Sequence, residues 1–223
     1  MVANLIKTFY IFSACPYLIF QLLFFISFQI VKGQEKPTLT DWGVQIGNST
    51  QQIYPIKDKD YKLIQHHVIG HISLNQFQLE DFKLDILSEL VYYFSKHQLL
   101  NKWFTTTTYF DDFPEDFQQK MLAKKTIHQL AAHLGITFNW HFNARVAVFV
   151  YGSIDTMWTS QQTERLTAGL VFSDNIGFGL KLKYNEHFWI SSTLVLRHES
   201  NADLKFPNTG NNTFGVRLGL LFN

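Results

Sequence analysis

A histidine and a serine stand two residues apart near the C-terminus, in the segment LRHES at residues 196–200. On an extended chain, residues i and i+2 point to the same face, so the imidazole of His198 can accept the hydroxyl proton of Ser200. A serine activated by a neighbouring histidine is a nucleophile for acyl groups. The pair therefore predicts ester hydrolysis.

The residues around this pair indicate which face of the strand carries it. Apolar residues share the parity of the pair and polar residues have the opposite parity: Phe188, Ile190, Leu194 and Leu196 against Ser191, Thr193, Arg197 and Glu199. A second alternating segment runs from Asn212 to Phe222, and its apolar residues share the parity of Asn212. We predict that His198, Ser200 and Asn212 lie together on the apolar face of two adjacent strands.

Alternation with a period of two recurs from residue 41 onward and indicates β-strands. The candidate strands are nine: residues 41–48, 64–75, 81–95, 126–142, 145–154, 163–173, 176–184, 188–200 and 212–222. Turn residues separate several of them, as at Asn143, at Ser173-Asp174-Asn175 and at Asn185-Glu186. Bacterial membrane barrels have even strand numbers. We therefore predict eight strands and expect one of the first two candidates to lie outside the barrel.

Two properties favour a membrane barrel over a soluble sandwich. The second face of the strands carries Lys, Arg, Asp and His, and several strands exceed the usual length of 5 to 6 residues. An apolar outer face, a polar inner face and an aromatic content of 16% fit an outer-membrane barrel. We predict an all-β fold, an eight-stranded antiparallel transmembrane β-barrel. Charged residues of the second face are expected to pair inside it: Arg165, Lys181, Lys183, Arg217, Asp85 and Glu89.

The N-terminal segment predicts secretion. Lys7 is followed by 23 uncharged, mostly apolar residues from Thr8 to Ile30, and a polar stretch begins at Lys32. This pattern is typical of a signal peptide, and we place its removal near Gly33. The predicted domains are a signal peptide at residues 1–33 and an outer-membrane β-barrel at residues 34–223.

Charge and histidine spacing exclude other classes of function. Residues 1–33 hold two of the 19 basic residues and none of the 18 acidic ones, which leaves 17 against 18 and a net charge of −1. A nucleic-acid partner is therefore not expected. His66, His67 and His71 do not share one strand face, so no metal site is predicted. We expect no cofactor.

A family resemblance rests on residues 198–210, which follow the pattern H-x-S-N-A-x-L-x-x-P-N-x-G. This run resembles, without a gap, the motif of the outer-membrane lipid A deacylases called PagL and of their acyloxyacyl hydrolase relatives. The resemblance is strong over residues 196–212 and looser over residues 163–222. It implies a lipid A deacylase in the outer membrane of a Gram-negative bacterium, acting on lipopolysaccharide of the outer leaflet.

The resemblance also implies roles for individual residues. It makes His198 and Ser200 catalytic, and it places a glutamate of the family where this chain has Asn212. An amide can orient the imidazole but carries no charge, and in a serine protease an Asp to Asn change in this role lowers kcat by about 10⁴. The hypothesis leaves open whether another acid assists or whether Asn212 suffices.

The oxyanion that forms during acyl transfer requires N–H donors. The side chains of Asn201 and Asn208 lie within chain reach of Ser200, as do the backbone amides that follow it. Residues 207–210 would also form a turn without any catalytic role. Asp203 stands where the family motif commonly has glycine.

Three functions remain in competition. The first is a serine esterase that removes an ester-linked acyl chain from lipid A at the lipid-facing surface. The second is a non-catalytic small barrel with a structural or binding role, in which Asn212 marks lost activity. The third is a phospholipase or acyltransferase, which would share the nucleophile.

The ends of the chain suggest its orientation. Phe222, next to the C-terminal Asn223, resembles the end of the last strand of outer-membrane barrels, which places the loop after Ser200 outside the cell. Counting nine candidates back from there puts the long connection at residues 96–125 on the periplasmic side, where turns are normally short. Pro114 begins a short predicted helix within this connection.

Overall fold

A computed structural model describes residues 38–54, 56–79, 81–101 and 115–223 of the chain, with the side chains of residues 75–79 and 115–118 left out. These residues belong to the compact unit Thr38–Asn223. The predicted signal peptide at residues 1–33 lies outside the described residues, as does Pro114 with most of the connection that precedes it.

Eight antiparallel strands close into a barrel. Each strand pairs with its neighbours in the sequence, and the first strand pairs with the last. The strands are β1 Thr38–Thr50, β2 Tyr61–Leu79, β3 Phe82–Leu99, β4 Lys125–Asn143, β5 Val146–Thr159, β6 Gly169–Lys183, β7 Phe188–Ser200 and β8 Asn211–Phe222. The predicted eight-stranded all-β barrel is confirmed.

The prediction of which candidate lies outside the barrel was wrong. The first two candidates are both strands, β1 and β2, whereas residues 169–183 form the single strand β6. The expected turn at residues 173–175 does not form, because Ser173 and Asn175 point into the barrel and donate hydrogen bonds to Asp155, the latter at 2.6 Å. These buried bonds outweigh the turn propensity of the residues.

Connection lengths distinguish the two ends of the barrel. Long connections follow β1, β3, β5 and β7 at one end, whereas short connections follow β2, β4 and β6 at the other. Because β6 is one strand and not two, the connection between β3 and β4 lies at the end with the long connections (the long-loop end), and not at the end predicted from the sequence. Helix α1, Glu115–Leu122, lies within this connection. No helix among the described residues is long and apolar enough to cross a membrane.

The outer face of the barrel is apolar and its interior is polar. Large hydrophobic side chains point outward, such as Ile46 with 59% and Leu90 with 61% of its surface exposed. The interior holds buried charged and polar side chains, among them Asp41, Gln65, His71, Glu89, His133, Asp155, Lys181, Arg197, Glu199 and Arg217. This arrangement suits a barrel surrounded by lipid, because lipid cannot satisfy polar groups.

Ion pairs fill the interior. The carboxylate of Glu89 lies 2.9 Å from His71 Nδ1 and 3.3 Å from both His133 Nδ1 and Arg217 Nη1. Lys181 lies 2.9 Å from Asp41, and Lys83 lies 3.6 Å from Asp85. Because both partners of a buried pair must stay together, these contacts hold the strands in a fixed arrangement.

Two of the charged residues expected inside the barrel pair elsewhere. Lys183 lies 2.7 Å from Glu186 in the short turn after β6. Arg165 belongs to the loop between β5 and β6 and lies 3.3 Å from Asp58 in the loop between β1 and β2. Arg165 thereby connects two long loops.

Candidate active site

Strand pairing brings the three predicted catalytic residues to one place. His198 and Ser200 end β7, Asn212 is the second residue of β8, and all three have the outward parity of the apolar residues. His198 and Asn212 are direct partners across the two strands. The site therefore lies on the outer surface of the barrel, near its long-loop end.

A hydrogen bond fixes the imidazole of His198. Its Nδ1 lies 2.8 Å from Oδ1 of Asn212. Because a carbonyl oxygen only accepts, Nδ1 carries the hydrogen, and the lone pair of a neutral imidazole is then on Nε2. This is the tautomer that a general base requires, since Nε2 can accept the proton of a serine hydroxyl.

Gly210 leaves room for the other edge of this ring. A Cβ at Gly210 would lie 2.9 Å from His198 Cε1, 3.4 Å from His198 Nε2 and 2.7 Å from the carbonyl oxygen of Glu199. Its φ of 70° also falls in the left-handed region that side chains disfavour. Gly210 is thus part of the site through the space it leaves, a role that the motif alone does not reveal.

The loop after Ser200 turns through two left-handed residues, Ala202 with φ 52° and Asp203 with φ 58°. Left-handed backbone costs roughly 1–2 kcal/mol for a residue with a side chain, which explains why the resembled motif commonly has glycine at the second position. Within the described part of the chain, neither amide donates a hydrogen bond. Both N–H groups are therefore without a hydrogen-bond acceptor among the described residues.

The two asparagines proposed as oxyanion donors differ in their contacts. The Nδ2 group of Asn201 donates to the carbonyl oxygens of Lys205 and Pro207, so both of its hydrogens are used within the loop. Oδ1 of Asn208 accepts the backbone N–H of Asn201 at 2.7 Å, and its Nδ2 donates to Asp203 at 2.8 Å. Asn201 thus shapes the loop, whereas Asn208 retains one N–H.

Arg165 holds the second half of this loop against its neighbour. Its carbonyl oxygen accepts the N–H groups of Thr209 at 2.9 Å and Gly210 at 3.2 Å, and its Nε donates to the carbonyl oxygen of Gly210 at 2.8 Å. A bridge between Leu166 and Asn208 adds to this contact. Through these contacts the loop between β5 and β6 positions Gly210 next to the imidazole of His198.

One acidic residue beside the site was missed in the sequence. Asp174 on β6 is the direct strand partner of His198, on the side opposite Asn212. It points outward and is exposed, whereas Glu199 points inward and accepts a hydrogen bond from Gln65 at 2.9 Å. Outward partners on adjacent strands have Cβ atoms about 4.5–5.5 Å apart. His198 is thus flanked by an amide on one side and a carboxylate on the other.

Together these residues supply the parts of an acyl-transfer site. Ser200 carries a hydroxyl that could act as a nucleophile, and His198 is in the tautomer that a general base requires. Phe172, the strand partner of Ser200, and Phe214, which follows Asn212 by two residues, place aromatic side chains on the same outward face. An apolar acyl chain can therefore lie along the barrel beside the nucleophile.

Comparison with known proteins identifies a family and several related barrels. The family described as lipid A 3-O-deacylase (PagL) matches residues 87–220, a range that contains His198, Ser200 and Asn212. The crystal structure of the outer membrane enzyme PagL matches with a TM-score of 0.53 and 16% identity, over 81% of this chain and 98% of that chain. The latter likeness shows a shared fold.

Other barrels match more weakly. Outer membrane protein OprG from Pseudomonas aeruginosa has a TM-score of 0.40 and 8% identity, over 82% of this chain and 94% of its own. Neisserial surface protein A has a TM-score of 0.38 and 8% identity, over 82% and 97%. A comparison with curated protein sequences found no match.

We expect Gly210→Ala to slow ester hydrolysis by about tenfold or more, because the added methyl group would displace the imidazole of His198. The rate falls steeply when a catalytic group is displaced. The added methyl group would meet His198 and the carbonyl oxygen of Glu199 at distances that force a shift. The measurement is the rate of hydrolysis of a long-chain p-nitrophenyl ester by the barrel folded in detergent.

Gly152→Ala is the matched control for this variant. A Cβ at Gly152 would meet nothing nearer than the carbonyl oxygen of Asn175 at 3.8 Å. This variant should keep the parent rate. Equal rates for Gly210→Ala and Gly152→Ala would show that the space beneath His198 has no catalytic importance.

Proposed function

The chain belongs to the PagL family of lipid A 3-O-deacylases, and on that premise we propose that it hydrolyses an ester-linked acyl chain of lipid A by serine and histidine catalysis on the outside of the barrel. The observation that carries this proposal is the hydrogen bond between His198 Nδ1 and Asn212 Oδ1 on the outward face. This hydrogen bond leaves Nε2 of His198 as the basic nitrogen. It does so on a surface where the acyl chain of a lipid can reach Ser200.

The location of the protein follows from the same surface. An apolar outer face over a charged interior requires a lipid environment, and closed barrels of this kind with long loops at one end are typical of the bacterial outer membrane. The long loops would face outward from the cell. The site, near that end, would then meet the outer leaflet, where lipopolysaccharide approaches laterally.

The proposed reaction begins when Nε2 of His198 accepts the hydroxyl proton of Ser200. The serine oxygen attacks the ester carbonyl, and as the bond to the sugar oxygen breaks, the imidazolium protonates that oxygen, which leaves as a hydroxyl group. Water, activated by the same imidazole, attacks the acyl-serine and releases the fatty acid. Each proton that His198 takes up is returned within the cycle.

The oxyanion would be bound by groups that follow Ser200. The backbone amides of Ala202 and Asp203 and the remaining N–H of Asn208 are the donors that the geometry leaves available. Backbone donors fixed in place are effective, because they need no reorientation when charge develops. We assign the side chain of Asn201 to holding this loop in shape.

Asp174 would supply the negative charge that Asn212 lacks. The amide of Asn212 sets the tautomer of His198 but cannot stabilise the imidazolium through charge. Asp174 stands beside His198 on the other strand, in a surface surrounded by lipid, where charge interactions are weakly screened. The proposal therefore divides the role of one acid between an orienting amide and a charged neighbour.

We expect Ser200→Ala to abolish deacylation and leave the barrel folded, because the hydroxyl is the nucleophile and lies on the outer surface. The measurement is the mass of lipid A from cells that produce the variant, with heat-modifiable gel mobility as the test of folding. A folded alanine variant that still released the acyl chain would remove Ser200 from the mechanism. Intact lipid A with the parent chain as well would favour the non-catalytic barrel.

Two substitutions test which residue supplies the negative charge that stabilises the imidazolium of His198. We expect Asn212→Glu to raise kcat, because a carboxylate bonded to Nδ1 stabilises the imidazolium. The cost of an acid near the lipid interface is about 0 to 1 kcal/mol. We expect Asp174→Asn to lower kcat by about tenfold to a hundredfold, with little effect on KM, because the charge acts on the transition state.

The double variant separates a charge effect from a structural one. If Asp174 substitutes for the missing acid, Asp174→Asn should cost much less in the Asn212→Glu background. Equal losses in the two backgrounds would mean that Asp174 acts independently of His198. A lower rate in a folded Asn212→Glu variant would mean that Asn212 has a task that a carboxylate cannot perform.

A further inference from the structure

Two large apolar side chains are exposed in the loop that follows Ser200. Leu204 has 67% and Phe206 has 46% of its surface exposed, and Lys205 stands between them. By contrast, residues 160–168 of the loop between β5 and β6, all of which the structure describes, expose no large apolar side chain. Because contact with water is unfavourable for apolar surface, exposed apolar groups close together indicate an apolar partner.

The path of the backbone separates these side chains from the barrel wall. Residues 207–210 lie against residues 165–167 of the neighbouring loop, through backbone hydrogen bonds and a bridge between Leu166 and Asn208. This returning segment continues the wall between β6 and β8. Residues 202–206 take no part in this pairing, and each of them is exposed. We refer to residues 202–206 as the protruding segment.

Hydrogen bonds hold the protruding segment in a fixed shape. The N–H of Leu204 donates to the carbonyl oxygen of Asn201 at 3.1 Å. The buried side chain of Asn201 donates to the carbonyl oxygen of Lys205, and Nδ2 of Asn208 donates to Asp203 at 2.8 Å. A segment that is already ordered loses little conformational entropy when its side chains bind a partner.

The neighbouring strands indicate the depth at which this segment begins. Ser200 pairs with Phe172 on β6, which pairs in turn with Thr156 on β5. The next outward residues toward the long-loop end are Leu170 on β6 and Trp158 on β5, and both are exposed. Tryptophan on the outside of a membrane barrel is typical of the boundary between hydrocarbon and headgroups. The protruding segment therefore begins at that boundary.

We propose that the protruding segment inserts into the outer leaflet, with Leu204 and Phe206 among the acyl chains of the surrounding lipids. The outward faces of β6 and β7 beside it are apolar up to Leu170, so lipid that covers them can also cover the two side chains. The stem of Lys205 is apolar and long enough to carry its ammonium group back to the headgroups. Insertion would hold the loop beside Ser200 at a constant depth.

This inference goes beyond the proposed reaction. It depends on the position of the barrel in the outer membrane and not on chemistry at Ser200. Side chains of a loop would thereby add to the membrane contact that the strands make. The partner is the hydrocarbon of the leaflet, bound through apolar area as in other interfacial segments.

The test places one nitroxide label at a time in the full chain carrying Cys15→Ser, a substitution that removes its only cysteine. The variants are Leu204→Cys and Phe206→Cys in the protruding segment, Leu194→Cys on the outer face of β7, and Lys59→Cys in the loop between β1 and β2. Each is folded into dilauroylphosphatidylcholine vesicles. Electron paramagnetic resonance then measures how often the label meets oxygen, which concentrates in lipid, and a water-soluble nickel chelate.

We expect the ratio of oxygen to nickel collisions at Leu204 and Phe206 to lie closer to the ratio at Leu194 than to the ratio at Lys59. Leu194 is the lipid reference, because it is an exposed residue of the apolar outer face. Lys59 is the aqueous reference, because it is an exposed, charged residue of a long loop. A label at either position of the protruding segment that meets the nickel chelate as often as one at Lys59 would overturn the inference.

Other occupants give different results in the same samples. A second copy of the chain covering the segment would make the label inaccessible to both reagents and would broaden its spectrum through the label of the other copy. That result would also overturn the inference. If Leu204→Cys does not fold, the label at Phe206 decides the question. Because no turnover is measured, an inactive parent chain would refute the proposed function without changing the expected depth.

Discussion

The hydrogen bond between His198 and Asn212 is the contact on which the site depends. Polar side chains on a surface that faces lipid are costly unless they satisfy one another. Here the pairing of β7 with β8 sets the imidazole against the amide at 2.8 Å, which lowers that cost and fixes the tautomer. A single contact thus makes the site compatible with lipid and leaves the lone pair of the imidazole on Nε2.

The interior of the barrel allows such a site to be precise. Glu89 contacts basic side chains from β2, β4 and β8, and Asp41 of β1 contacts His71 of β2 and Lys181 of β6. Strands cross-linked in this way provide a rigid support. A reaction on the outer surface can then use a substrate that stays in the membrane. Arg165 holds the loop that carries Gly210.

Parity alone predicted much of this structure, because the side-chain period of a strand is two and does not depend on its partners. It placed His198, Ser200 and Asn212 outward, as the structure does. It could not supply register, which depends on contacts between distant strands. For that reason Asp174, assigned to a turn, was missed as the neighbour of His198, and the hydrogen bonds of Asn201 within its loop were not foreseen.

The most direct measurement of the central claim is the position at which a long-chain phosphonate ester labels the folded barrel. Tandem mass spectrometry of the labelled protein should find the phosphonyl group on Ser200, and His198→Ala should prevent labelling because the hydroxyl then lacks its base. A label on another residue, or labelling of Ser200 that persists at full rate without His198, would contradict the account.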